Sequence, residues 1–283
     1  MTAFGLAGII AAGVYFGLLR GDDATRSTFE APESPASGGA IQGGVVKGSF
    51  DMGMTALNGG GSQRISFRGP FTTRSPDRLP EFNLAFRMME GPGRLLNLRP
   101  VKFSLISTGE SGYFVFRGRA YQVDPALFER LSSAPVLAEL DPAGWVSSTQ
   151  ANATEHVAGT KTGPKSGRLD VDRMVSDVTR AVKDLGIRPG RVAFPSSFFD
   201  KRAIDLATTQ SGLLRRLAIT LTWNGRSEDT ERFKAAMHTR LRIIQLNTPQ
   251  RIEAPAEATA IGADLTRRIP PQLWGLVEFL STP

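Results

Sequence analysis

The chain of 283 residues contains no cysteine. That excludes disulfides, thiolate metal sites and a lipid-modified cysteine behind a signal sequence, so the core alone must hold the fold. Histidine is nearly as scarce: only His156 and His238 occur. A serine–histidine arrangement needs a histidine base beside an activated nucleophile. Both histidines fall in stretches that alternate like strands, and no Gly-x-Ser-x-Gly turn is present. The glycines at 59–61 lead into a strand pattern rather than a helix, so they read as a hairpin turn and not as a phosphate cradle. Asp170 and Asp172 stand close in sequence, but residues two apart on a helix point to different faces, and Asp170 reads as a helix cap. Asn152-Ala-Thr154 fits a glycosylation triplet, a pattern that also arises by chance. The expectation is a protein with no catalytic residue, no metal site and no cofactor, and not an enzyme.

Lysine is sparse as well. The net charge of +7 is carried by 27 arginines against 7 lysines. A sequence pI near 10.1 raises nucleic-acid binding, but the basic residues are spread from Arg64 to Arg268 and no nucleic-acid motif accompanies them. No nucleic-acid partner is expected. A basic domain held beside a bilayer is attracted to anionic headgroups, so a membrane surface is an expected partner.

What the chain has in abundance begins at its first residues. Ala3 to Leu19 carry no charge, and about 17 residues is near the short end of what spans a bilayer core. No basic residue precedes the run, as a cleaved signal peptide would want, and small residues at 11–13 lie inside the apolar core. Residues 1–20 are read first as an uncleaved signal anchor. A cleaved signal peptide and a buried first helix stay open. Residues 21–44 are rich in Gly, Ser, Pro and acids and read as a flexible linker. The remaining chain would then lie outside the cytoplasm, in the cell envelope, attached to the membrane by its N-terminal segment.

From Val45 the pattern has period two. Phe50, Met52 and Met54 alternate with polar or small residues up to a turn at Asn58-Gly59-Gly60-Gly61. Arg64 to Arg68 alternates again, ending at Gly69-Pro70. Phe82, Leu84, Phe86 and Met88 form one apolar face, and 102–108 and 113–117 make a further pair around Gly109–Gly112. This is an antiparallel meander of about five strands. Asp124-Pro125 starts a helix with Leu127, Phe128 and Leu131 on one face. Strands at 155–160 and 165–169 follow. Asp170 then caps a helix running to about Leu185, with Met174 and Val178 on its apolar face. The stretch 187–211 is ambiguous. Leu214–Trp223 and Ala235–Leu246 form a hairpin turned at Asn224-Gly225, and a short amphipathic helix closes the chain from Leu273 to Leu280. A curved sheet under a few helices has two fates: the helices fill it, or a gap remains that admits an acyl chain. The cavity-lining candidates are Met52, Met54, Phe82, Leu84, Phe86, Met88, Phe103, Leu105, Phe114, Phe116, Met174 and Val178, with methionines suited to a wall that repacks around varied ligands.

Several segments together resemble the LolA/LppX-like lipoprotein-carrier superfamily, especially its actinobacterial LppX-type branch. They are Phe50-Asp-Met-Gly-Met54, Ile65-Ser-Phe-Arg-Gly-Pro-Phe71, Gly112-Tyr-Phe-Val-Phe-Arg-Gly118, Glu155-His-Val-Ala-Gly-Thr160 with Gly167-Arg-Leu-Asp-Val-Asp172, Leu214-Arg-Arg-Leu217 and 246–255. Their order and spacing, rather than any one motif, carry the likeness, over about residues 45–265. The resemblance implies an α+β fold: a strongly twisted antiparallel β half-barrel with helices packed in its concave face. It implies a lipid or lipoglycan carried in a hydrophobic cavity. Two departures stand out. The lipobox cysteine usual in such proteins is missing, and residues 266–283, a tail with a short helix, lie outside the matched region. The alternative reading is a structural or sensory envelope module with a filled core, acting through protein contacts at Trp274 and Phe279.

Overall fold

The computed structural model describes residues 43–56, 59–73, 79–92, 100–133, 142–150, 165–184, 199–208, 214–226, 232–245, 248 and 250–281. The apolar segment at 3–19, residues 21–42 of the expected linker, the strand expected at 155–160, His156 and Asn152 all lie outside the described residues; the linker expected to run to 44 ends earlier, because Gly43 and Gly44 already belong to the first strand. No helix among the described residues is long and apolar enough to cross a membrane.

The period-two stretches become long strands. β1 (Gly43–Ala56), β2 (Gly59–Thr72), β3 (Glu81–Pro92), β4 (Val101–Ser107), β5 (Gly112–Phe116) and β6 (Arg119–Gln122) run as a six-stranded antiparallel meander, one strand more than expected. The last hairpin turns on two residues with positive φ, Arg117 (50°) and Gly118 (77°). That pairing matches the strand twist of a two-residue hairpin, and the Arg117 guanidinium sits 5.2 Å from the centroid of the Phe116 ring. Helix α1 (Pro125–Ser133) follows, capped by Asp124, whose Oδ1 accepts from the backbone N–H groups of Ala126 at 2.9 Å and Leu127 at 3.1 Å.

The second half adds β7 (Val146–Gln150), β8 (Lys165–Leu169), helix α2 (Val171–Asp184), β9 (Lys201–Thr208), β10 (Leu214–Arg226) and β11 (Arg232–Ile244). Asp170 caps α2 as its sequence position suggests, accepting from the Arg173 N–H at 3.0 Å. Of the stretch 187–211 that sequence leaves ambiguous, β9 accounts for 201–208, with Ile204 and Leu206 facing the core and Lys201, Ala203 and Asp205 facing the other way; 187–198 and 209–211 lie outside the described residues. The chain ends with a two-residue strand β12 (Thr259–Ala260), helix α3 (Ala263–Arg268), a 3-10 turn at Pro271–Leu273 and helix α4 (Trp274–Leu280).

All twelve strands belong to one open sheet, in the order β12-β6-β5-β4-β3-β2-β1-β11-β10-β9-β8-β7. Every pairing is antiparallel except β12 with β6. β1 pairs with β11 over the whole span from Val45↔Ile244 to Ala56↔Phe233, and this seam joins the N-terminal meander to the C-terminal one.

Two turn expectations are corrected. Gly69-Pro70 does not end β2, which continues to Thr72. Proline lacks a ladder donor and is tolerated where a ladder is interrupted. Here β2 stays paired with β1 through Pro70↔Val45, while its ladder with β3 skips from Arg68↔Ala85 to Phe71↔Phe82. Asn224-Gly225 is not the final turn either: it lies within β10, opposite Lys234 and Phe233. The strong turn dipeptide is overridden because the strands pair on for three residues past Trp223, to Arg226↔Arg232.

One continuous core lies on one side of the sheet. Leu84, Phe71 and Phe114 are fully buried, as are Leu127 of α1, Val171 at the start of α2, Leu265 of α3 and Leu273. The C-terminal tail is part of this core, contributing Ile269, Val277 and Leu280. The Leu280 carbonyl accepts from the Asp124 N–H at 3.1 Å, which ties α4 to the cap of α1. A Cβ built on Gly112 would stand 2.7 Å from the Phe128 ring, so that glycine lets α1 approach β5. Trp145 is buried with its indole N–H donating to Asp177 Oδ2 at 2.9 Å, which docks α2 on the start of β7.

β3 leaves no room for a side chain at Gly69 of β2, where an added Cβ would overlap the Asn83 carbonyl oxygen and lie 3.0 Å from Leu84 Cα. Gly69→Val therefore forces two paired backbones apart. Its denaturant midpoint is expected to fall by an amount equivalent to about 2 kcal/mol or more, measured by urea unfolding. An unchanged midpoint would contradict this account of the β2–β3 contact.

Candidate functional site

Antiparallel partners project to the same side, so register converts the strands into rows that cross the sheet. The central row on the core side is Phe67–Phe86–Phe103–Phe116 across β2 to β5. Their rings form a ladder, with centroids 5.4 Å apart for Phe67–Phe86 and 4.9 Å for the parallel Phe86–Phe103 pair. Phe114 joins at 5.7 Å from Phe103. On β1 this row meets Gly48, over which the Phe67 ring lies, and continues as Leu241, Leu217 and Leu206. The row nearer the start of β1 holds Val46, Ile243, Leu84, Leu105, Phe114 and Tyr121. On the other side of the ladder comes Phe50–Ile65–Met88–Val101, with Ile219 and Ile204 beyond the seam. All but Leu105 and Val101 in these three rows are buried hydrophobics or glycine, apart from Thr239 beside Phe50.

Two more rows extend toward the far end of β1, and here burial fades while the side chains stay apolar. Met52 pairs with Met237, which pairs with Leu221; Met54 pairs with Ala235, which pairs with Trp223. Met52, Met237 and Trp223 are half-buried, and Met54 is 46% exposed. Phe199 meets Trp223 edge-on at 5.6 Å. This end of the face is a rim of methionines and one tryptophan. One polar pair sits in it: Gln63, opposite Met52, donates from Nε2 to Glu90 Oε1 at 2.5 Å. The Gln63 Oε1 atom is buried and accepts no hydrogen bond among the described residues, and Arg202, opposite Leu221, brings a further polar side chain to the same row.

The twelve sequence candidates divide along this gradient. Phe82, Leu84, Phe86, Met88, Phe103, Phe114 and Phe116 are buried among themselves and belong to the closed part of the face. Met52 and Leu105 are half-buried on the same face, and Met54 is the exposed end of it. Met174 and Val178 of α2 are half-buried and pack against the same cluster. Residues that sequence reasoning did not place in the site are Ile65, Phe67, Gln63, Leu221, Trp223 and Met237. The alternation in 64–68 and 217–223 carried the first two and the β10 pair. Met237 and Gln63 had no such signal, because only the register of β11 and β2 against β1 puts them beside Met52.

The opposite face of the sheet is polar and strongly basic. Arg216, Arg242, Lys47 and Arg68 occupy adjacent places in one row, and Arg87 faces Lys102. Arg64 and Asp51 form an ion pair on this face, and the His238 ring nitrogen Nδ1 lies 3.3 Å from the Thr220 hydroxyl. A depression of about 860 Å³ opens here, lined by the cations Lys47, Arg68, Arg87, Lys102 and Arg117 and also by Phe67, Phe86, Phe103 and Phe116 of the strands that form its floor.

No protein-family model matches the chain, and no curated protein matches it. Among solved structures it is similar to LprF from Mycobacterium bovis, at 13% identity and a TM-score of 0.41, over 88% of this chain and 98% of that one. A DUF1329 family protein from Desulfovibrio piger aligns at 7% identity and a TM-score of 0.19, over 86% of this chain and 95% of that one. Scores this low carry neither fold nor function, and the reading of the site stands on the chain's own geometry.

The gradient from closed face to rim is measurable. Leu84→Ala opens a void between rings and is expected to cost about 3 kcal/mol, whereas Met54→Ala is expected to stay within about 0.5 kcal/mol of the parent. Equal losses at the two positions in chemical denaturation would contradict the division.

Proposed function

We propose that the protein is an extracytoplasmic, membrane-attached carrier that holds a lipid or lipoglycan by its acyl part and performs no chemistry on it. One observation carries this reading: the apolar face of the sheet continues from fully buried positions into ones that are half-buried or exposed, at Met52, Met237, Trp223 and Met54. A core that served stability alone would gain nothing from methionines and a tryptophan left half in water, whereas an acyl chain laid along Met52, Met237, Trp223 and Met54 would complete their burial. Each methylene so buried contributes about 0.8 kcal/mol, so a long chain binds without any charged anchor. Methionine side chains repack around chains of different length and branching. The Gln63 Oε1 acceptor would take a hydroxyl of the cargo where acyl chain meets headgroup.

The same reading makes the sheet a half-barrel. Neighbouring strands rotate by roughly 20–25° and sheets beyond about ten strands curl, and twelve strands here would curve around α1, α2 and the C-terminal helices on the core side. The helices would then fill the middle of the concavity and leave the methionine end for cargo. A second reading, an envelope module acting by protein contacts, draws on Trp274, which is 54% exposed on α4.

Organic extraction and mass spectrometry of the purified full-length protein decide between them. A stoichiometric acyl lipid is expected, reduced at least several-fold in a Met52→Glu, Met237→Glu double variant, since a charge in an apolar contact must be desolvated. Absence of any bound lipid, together with failure to take up lipid from vesicles, would remove the carrier reading. Loss of a protein partner on Trp274→Ala with lipid content unchanged would favour the second.

A further inference from the structure

The polar face of the sheet places like charges where strand pairing ordinarily avoids them. Directly opposed cations weaken a sheet, yet Arg216 faces Arg242, Arg242 faces Lys47, Lys47 faces Arg68, and Arg87 faces Lys102. Lys47, Arg68, Arg87, Lys102 and Arg242 are all exposed. Stability does not account for such a band, because four adjacent strands could place neutral or acidic side chains there at no cost. Four of these cations, with Arg117, also line the 860 Å³ depression, and no acidic residue lines it. Shape and charge therefore converge on an anionic ligand.

We infer that this groove docks the domain on the phosphate groups of an anionic bilayer. Two features select a bilayer over other polyanions. The groove lies on the side of the sheet opposite the methionine rim, so it does not serve the headgroup of a cargo held there. And Lys47 is the fifth residue of β1, the strand that directly follows the Gly-, Ser- and Pro-rich stretch at 21–42 and, before it, the apolar segment at 3–19. A tether of that length and composition would have an average reach of roughly 25 Å, keeping the cation band near whatever bilayer takes the segment. Attraction of basic residues to anionic headgroups acts within about a Debye length of the surface and adds per residue, and a tether that keeps the band nearby makes that short approach frequent. The inference rests on the membrane attachment proposed above but not on the identity of the cargo.

The absence of cysteine supplies the test. Ser66→Cys on the full-length protein gives one labelling site within the groove. The labelled protein is reconstituted through its own N-terminal segment into phosphatidylcholine vesicles with or without about one-third phosphatidylglycerol, each carrying a lipid-phase quencher. Quenching is expected in the phosphatidylglycerol vesicles, to be absent in pure phosphatidylcholine, and to vanish with added salt. The population in contact is expected to fall on the order of a hundredfold in a Lys47→Glu, Arg68→Glu, Lys102→Glu variant, and partially in the corresponding glutamine variant, with bound lipid unchanged in both by mass spectrometry. Equal quenching in the two vesicle types, or none in either, would overturn the proposal. So would preferential binding of a short oligonucleotide over phosphatidylglycerol at physiological salt. Absence of bound lipid from the parent protein, with its docking intact, would instead overturn the carrier reading and leave the docking face standing.

Discussion

The pairing of β1 with β11 is the constraint on which the rest of the molecule depends. These strands lie almost at opposite ends of the sequence, yet they pair residue for residue from Val45↔Ile244 to Ala56↔Phe233. Without that seam there are two separate meanders, each with an open edge and half an apolar face. With it, the rows cross from one meander to the other: Phe50 and Ile65 continue toward Ile219, and Met52 meets Met237. The basic row crosses the same seam on the other face, through Lys47 and Arg242. A slip of one residue would turn every one of these side chains to the wrong side, so the rim and the basic groove are fixed by one register.

That register also explains how a chain without cysteine stays folded. The phenylalanine ladder across β2 to β5 and the leucine and isoleucine rows across β9 to β11 are closed by side chains from α1, from the start of α2 and from the last twenty residues. The C-terminal helix is fastened by a backbone hydrogen bond to the cap of α1, so the tail and α1 close over a common core. Burial then fades along β1 from Val46 to Met54. One sheet thereby carries three environments: a sealed core, a partly open apolar rim, and a basic outer face.

Local sequence revealed the elements it could determine. Alternation located β1 to β5, β10 and β11, and Asp124 and Asp170 marked two helix starts that the structure confirms in their capping hydrogen bonds. Failures came where a distant partner decides. Pro70 looks like a strand end but survives in β2 because the interrupted ladder is the one to β3. Asn224-Gly225 looks like a turn but is held in β10 by Lys234 and Phe233. The candidate site was legible as a face and not as a gradient. Phe82, Leu84 and Phe86 were placed beside Met52 and Met54 on pattern alone, and nothing local distinguishes the sealed residues from the open ones. The basic row was invisible for the same reason: Arg216, Arg242, Lys47 and Arg68 are scattered in sequence and become neighbours only through three registers.

The account turns on an acyl chain lying along the rim, and Trp223 is positioned to report it. In a Trp274→Phe background the remaining tryptophans are the buried Trp145 and the half-buried Trp223. Titration with a fatty acid brominated along its chain is predicted to quench saturably the part of the emission that Trp223→Phe removes, leaving that of Trp145. Emission from Trp223 that is untouched while the brominated lipid binds would place the chain elsewhere and contradict the account.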